Sequence, residues 1–135
     1  MPVSRDKSRP LMRFINYNRW SILWFTAIII LTILPGKVFP ALPSFMDLFQ
    51  PDKLVHIFLF AVFFILQVRA FVRQDVFPAL AGHAVPVTFI IGLLLGAGTE
   101  VMQELFVPMR TGDIYDFIAD TAGCLVGWAV AMRFF

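Results

Sequence analysis

Charge is scarce in this 135-residue sequence: only 15% of its residues are Asp, Glu, Lys or Arg. A soluble domain carries about a quarter. With 59% hydrophobic residues, the chain holds more Phe, Ile and Leu than a core of this size can hide from water. That excludes an ordinary soluble domain and leads to an all-α, polytopic membrane protein, whose helices need not hide apolar side chains. Cysteine is nearly missing. The lone Cys124 allows no intramolecular disulfide and, inside an apolar run, reads as a small helix-packing residue. No small-x-small cleavage pattern follows the first apolar segment, which ends in ILPGKVFP, so that segment reads as a retained helix and not a signal peptide. EF-hand loops and zinc-binding helix motifs are also lacking, which makes the metal signal weak and leaves any metal unassigned. No cofactor is expected. Ser44 sits in a proline-rich loop and Cys124 in an apolar segment, so a covalent acyl mechanism is not expected either.

What is present is long apolar runs. Four segments, 20–34, 54–68, 85–107 and 114–135, cross or nearly cross a hydrocarbon core of about 30 Å at about 1.5 Å per residue. The expected architecture is a four-helix transmembrane bundle, one domain over residues 20–135 behind a basic tail over 1–19. The second segment is short, which leaves a re-entrant segment open as an alternative; its ends, Asp52-Lys53 and Gln67-Val68-Arg69, can snorkel. Pro35-Gly36 stops the first helix, and the following KVFPALPSFMDLFQP reads as an ordered interfacial loop.

Lys and Arg are distributed unevenly about these segments. Arg5, Lys7, Arg9, Arg13, Arg19, Arg69, Arg73 and Arg133 fall on one side, eight in all, against three on the other, Lys37, Lys53 and Arg110. The positive-inside rule then places both termini in the cytoplasm. Trp20 and Trp24 fit interfacial anchoring, and the basic tail fits contact with anionic lipid better than with nucleic acid.

On that topology the polar residues gather at the outer ends of the helices. Asp52, Lys53 and His56 open the second segment, Glu100, Gln103 and Glu104 close the third, Arg110 follows it, and Asp113, Asp116 and Asp120 open the fourth. Spacings of three and four put each set on one helical face, so three polar stripes can converge in an outward-facing pocket. Charges at helix ends often just meet water and headgroups, and that reading applies to Asp52, Lys53, Glu104 and Asp113. It is weaker for Glu100, Asp116 and Asp120, because an ionisable group a turn or two inside an apolar helix costs about 2.5 to 3.5 kcal/mol unless partnered. Six acids against Lys53 and Arg110 require raised carboxylate pKa values, a bound cation or a cationic ligand group. Ala119, Gly123, Gly127 and Ala131 recur every four residues, as do Gly92 and Gly96, and allow close helix approach.

At these residues the sequence resembles the VanZ-like family of small integral membrane proteins. The resemblance runs from about Asp52 to Gly127 through DKLVH, GAGTEVMQELFVPMR and DIYDFIADTAGCLVG. It covers Lys53, His56, Glu100, Gln103, Arg110, Asp116 and Gly123; Asp120 departs from it, standing where the family usually has Asn. Asp120 is therefore expected to be neutral or paired. The resemblance implies a role in the bacterial cell envelope and, in the named member, decreased susceptibility to teicoplanin.

The function expected is binding of a lipid-headgroup or envelope-precursor-like ligand, with Lys53, Gln103, Arg110 and Asp120 as ligand-binding residues. In an enzymatic version Glu100 or Asp116 serves as general acid or base, His56 assists, and Lys53 or Arg110 holds an anionic group. A proton-linked transporter is the rival, but VPVTFIIGLLLG and CLVGWAVAM carry no ionisable residue. Membrane lipids are the expected partners, and the oligomeric state is left open.

Overall fold

A computed structural model describes residues 9–34, 51–108 and 110–135. The proline-rich loop, with Lys37 and Ser44, lies outside the described residues, as do Arg5 and Lys7. The described chain is all α: α1 Pro10–Ile33, α2 Pro51–Arg73, α3 Pro78–Gly82, α4 Ala84–Phe106 and α5 Ile114–Phe134. Three of these helices start on proline, whose fixed φ suits the first turn and whose missing N–H has no helical partner to lose. Asp113 caps α5, its side chain accepting from the Tyr115 N–H at 2.8 Å.

Among the described residues, α2, α4 and α5 are long and apolar enough to cross a membrane. The second helix is not the short segment expected over residues 54–68. It is continuous for 23 residues, about 34 Å at the standard rise. Gln67 does not snorkel from its end. It is buried, accepts from Ser21 and donates to Asn18 at 2.9 Å, so the polar residues there bind α1 instead of reaching for water. Helix α1 likewise begins ten residues before the apolar run that marks it in the sequence, and its Arg13 pairs with Asp75 just after α2. Trp24 donates its indole N–H to the Leu59 carbonyl at 2.9 Å, tying α1 to α2, while Trp20 is exposed. The five-residue α3 has no counterpart in the hydropathy pattern, being too short to show a period.

The most extensive packing joins α2 to α5. Residues 53, 57 and 61 on α2 meet positions 116, 123 and 127 on α5 in ascending order, so the two helices run parallel. Two glycines set their separation. A Cβ at Gly123 would lie 2.5 Å from the Ile57 carbonyl oxygen, and one at Gly127 2.6 Å from that of Ala61. Backbone atoms cannot swing aside, so only a residue without a side chain fits at either point. Phe60, Phe63 and Phe64 fill the core beside this seam and are at most 1% exposed.

Gly123→Ala and Gly127→Ala are each expected to destabilise the folded protein by about 2 to 3 kcal/mol, the upper end for overpacking. Gly98→Ala, where an added Cβ meets nothing within 4 Å, is expected to be neutral or to stabilise by up to about 1 kcal/mol. Melting in detergent separates them; equal melting of all three would refute the role given to the seam.

Candidate functional site

The parallel register brings the first turns of α2 and α5 face to face. Lys53 reaches across with its Nζ 2.6 Å from Asp116 Oδ1 and 3.0 Å from Asp113 Oδ2. One turn deeper, His56 Nδ1 lies 2.7 Å from Asp120 Oδ1, and its Nε2 lies 3.8 Å from Asp116 Oδ2. His56, Asp116 and Asp120 are buried, Asp120 to 1% exposure. The order along the seam is Lys53, Asp116, His56, Asp120, an alternation of basic and acidic groups in which each polar side chain offsets part of its neighbour's desolvation.

Helix α4 supplies the third wall. Its last two turns carry Glu100, Gln103 and Glu104, and two of these hold the connection into α5. The Asp113 N–H donates to Glu100 Oε2 at 2.6 Å, and the Gly112 N–H donates to Glu104 Oε2 at 3.1 Å. Gly112 suits this contact, since a Cβ there would fall 3.0 Å from the Glu104 carboxylate. Gln103 is 1% exposed and lines a cavity of about 120 Å³ with His56, Asp52, Arg110 and Thr32 of α1. Arg110 is held loosely, 3.9 Å from Asp52, too far for a hydrogen bond.

All seven residues singled out in the sequence, Lys53, His56, Glu100, Gln103, Arg110, Asp116 and Asp120, therefore meet at one end of the bundle. Asp120 is paired, through His56. Lys53 is engaged by two aspartates, so its ammonium does not present itself as an isolated anion site. Sequence reasoning missed Thr32 and the backbone donors at Gly112 and Asp113. Gly96, read from the sequence as a packing residue, also borders the cluster: a Cβ there would lie 3.1 Å from Asp120 Oδ2. Ser21, another residue not singled out, lies at the opposite end against Gln67.

Three buried side-chain oxygens here lack a hydrogen-bond partner among the described residues: Glu100 Oε1, Gln103 Oε1 and Asp120 Oδ2. Outside them, between α4 and α5, a groove of about 510 Å³ is lined by Ala97, Val101, Leu105, Ile114 and Phe117, with Glu100, Glu104 and Asp113 at its polar end.

The family model for VanZ/LLP1 matches residues 7–135. The chain belongs to the VanZ/LLP1 family. No curated protein and no solved structure matches it. For this VanZ/LLP1 protein the three stretches that carry the resemblance, at Asp52–His56, Gly96–Arg110 and Asp113–Gly127, are the three that build the polar cluster and the glycine seam beneath it.

Asp113 stands at the end of the connection, as the N-cap of α5. The Tyr115 N–H and then Lys53 favour its ionised form and hold its carboxyl below the usual value. A depressed folded-state pKa contributes stability above the unfolded value, about 3.9, and loses it as pH falls through the folded value. Asp113→Asn keeps a capping oxygen but no charge. The wild type is expected to melt above Asp113→Asn at pH 6 to 7 and to converge with it below about pH 4; a gap independent of pH would overturn this assignment.

Proposed function

We propose that the chain is a protein of the bacterial cytoplasmic membrane in which α1, α2, α4 and α5 all cross the bilayer and both termini are cytoplasmic. The polar cluster then faces outward and binds the headgroup of an envelope lipid or lipid-linked envelope precursor. The observation that carries this reading is the junction of two unlike surfaces at Glu100. On one side lies a buried cluster with unpartnered acceptor oxygens, on the other an apolar groove of about 510 Å³. An amphiphile matches that junction: its chain lies along Ala97, Val101 and Phe117 while its polar head turns inward. Membership of the VanZ/LLP1 family is consistent with an envelope protein of the kind associated with teicoplanin susceptibility.

The alternation Lys53, Asp116, His56, Asp120 favours a second reading, acid–base chemistry on the bound headgroup. His56 sits between two carboxylates, an arrangement that orients an imidazole and passes a proton across it. In that version Glu100 or Asp116 is the acid or base nearest the ligand.

Two measurements test these statements. C-terminal fusions are expected to give a fluorescent but phosphatase-inactive chain; an active periplasmic phosphatase fusion reverses the topology. Lipid carried through purification is expected to fall about tenfold in Ala97→Trp, which fills the groove from an exposed position without touching the cluster. Unchanged lipid composition and amount in that variant count against the groove as the binding site.

A further inference from the structure

The unpartnered oxygens of the cluster are more than a headgroup needs. Of four buried side-chain polar atoms without a partner among the described residues, three belong to Glu100, Gln103 and Asp120. Gln103 and Asp120 are each 1% exposed, so no open water surface satisfies them, and a buried acceptor without a donor costs about 1 to 3 kcal/mol. As ionised carboxylates and an amide oxygen these atoms are acceptors alone, and one cation satisfies such oxygens together.

His56, Glu100 and Asp120 each bring one ligand atom to within 4.8 Å of the others. Metal–ligand bonds of about 2.0 to 2.2 Å span up to about 4.4 Å across an ion, so small side-chain rotations close the set. Each residue comes from a different helix, α2, α4 and α5. Gln103, lining the same cavity as His56, adds an amide oxygen. Gly96 leaves the space beside Asp120 Oδ2 unfilled, since any Cβ there would lie 3.1 Å from that oxygen.

We infer that His56, Glu100 and Asp120, assisted by Gln103, form a binding site for one divalent transition-metal ion of the Zn²⁺ or Mn²⁺ type. One imidazole with two carboxylates and an amide oxygen is a nitrogen–oxygen donor set; the imidazole disfavours Ca²⁺ and Mg²⁺, which take oxygen alone. His56 ligates through Nδ1, the nitrogen already facing Asp120. That leaves Nε2 3.8 Å from Asp116 Oδ2, beyond hydrogen-bond length but within reach of a small rotation of the ring, and Asp116 is itself fixed by Lys53 at 2.6 Å. A carboxylate behind a ligating histidine is the usual outer support of such sites. A second grouping, Asp52, His56 and Asp116, is the poorer choice: the Asp52 side chain is 57% exposed, and Lys53 already occupies Asp116.

The inference deepens the reading of the pocket given above, and its test contains no lipid ligand, so the two fail separately. The full chain, purified in detergent and stripped with chelator, is titrated with Zn²⁺ and with Mn²⁺, and bound metal is counted after desalting. The wild type is expected to retain about one ion per chain and to melt several degrees higher with it. His56→Gln, Glu100→Gln and Asp120→Asn are each expected to lose at least tenfold in affinity and to lose the melting shift. Asp52→Asn and Asp75→Asn, the latter at the opposite end of the bundle, are expected to keep both. The three ligand variants nearly preserve size, and their melting without metal shows whether they are folded. A folded wild type retaining under a tenth of an equivalent of either metal overturns the proposal. So does loss of binding in Asp52→Asn with retention in Glu100→Gln, which would assign the ion to the outer grouping.

Discussion

Everything at the polar end of this molecule depends on how closely α2 and α5 approach. Gly123 and Gly127 let the α5 backbone rest on the carbonyls of Ile57 and Ala61. Larger residues at these points would force the helices apart, and short side chains such as Asp would lose their reach across the seam. Because the helices run parallel, their first turns coincide, and Lys53 and His56 meet Asp116 and Asp120 directly. The seam is apolar and the cluster charged, but the seam sets the cluster's geometry.

The two ends of the bundle solve the same problem differently. At the end holding Gln67, neutral groups satisfy one another: Ser21 with Gln67, Gln67 with Asn18, Asn18 with the Phe14 carbonyl at 2.9 Å. This is the interhelical hydrogen bonding that holds membrane helices where the hydrophobic effect does not. At the other end the groups are ionisable, and acceptors outnumber donors. A network built only for stability would have been closed, as the first one is. An open set of acceptors on three converging helices is what supports the proposed binding site.

The stripes were legible because helical periodicity fixes which residues share a face. Lys53 with His56, Glu100 with Gln103, and Asp116 with Asp120 follow from spacings of three and four. The every-fourth small residues of α5 likewise pointed to close packing. Periodicity does not say which helices pair, so the parallel contact of α2 with α5 and the buried Asn18–Ser21–Gln67 network could not be read. Hydropathy also understated α1 and α2, because their ends carry Arg13, Asn18, Gln67 and Arg69, polar groups that a window average counts against a span. Glu100 and Glu104 engage backbone N–H groups of the α4–α5 connection, donors that every residue carries and no sequence pattern marks.

The parallel pairing has a consequence for how the protein is made. Helices α2 and α5 are separated along the chain by α3, α4 and the connection after it, so during vectorial synthesis Lys53 and His56 reach the membrane before their acidic partners exist. Until α5 is made, α2 rests on α1, α3 and α4, and the polar side chains of its first turn lack the partners that offset their desolvation. Helix α5 therefore closes the polar cluster. A polypeptide stalled before Asp113 holds Lys53 and His56 without the three aspartates that engage them, a feature by which quality control can tell it from a chain that has reached α5.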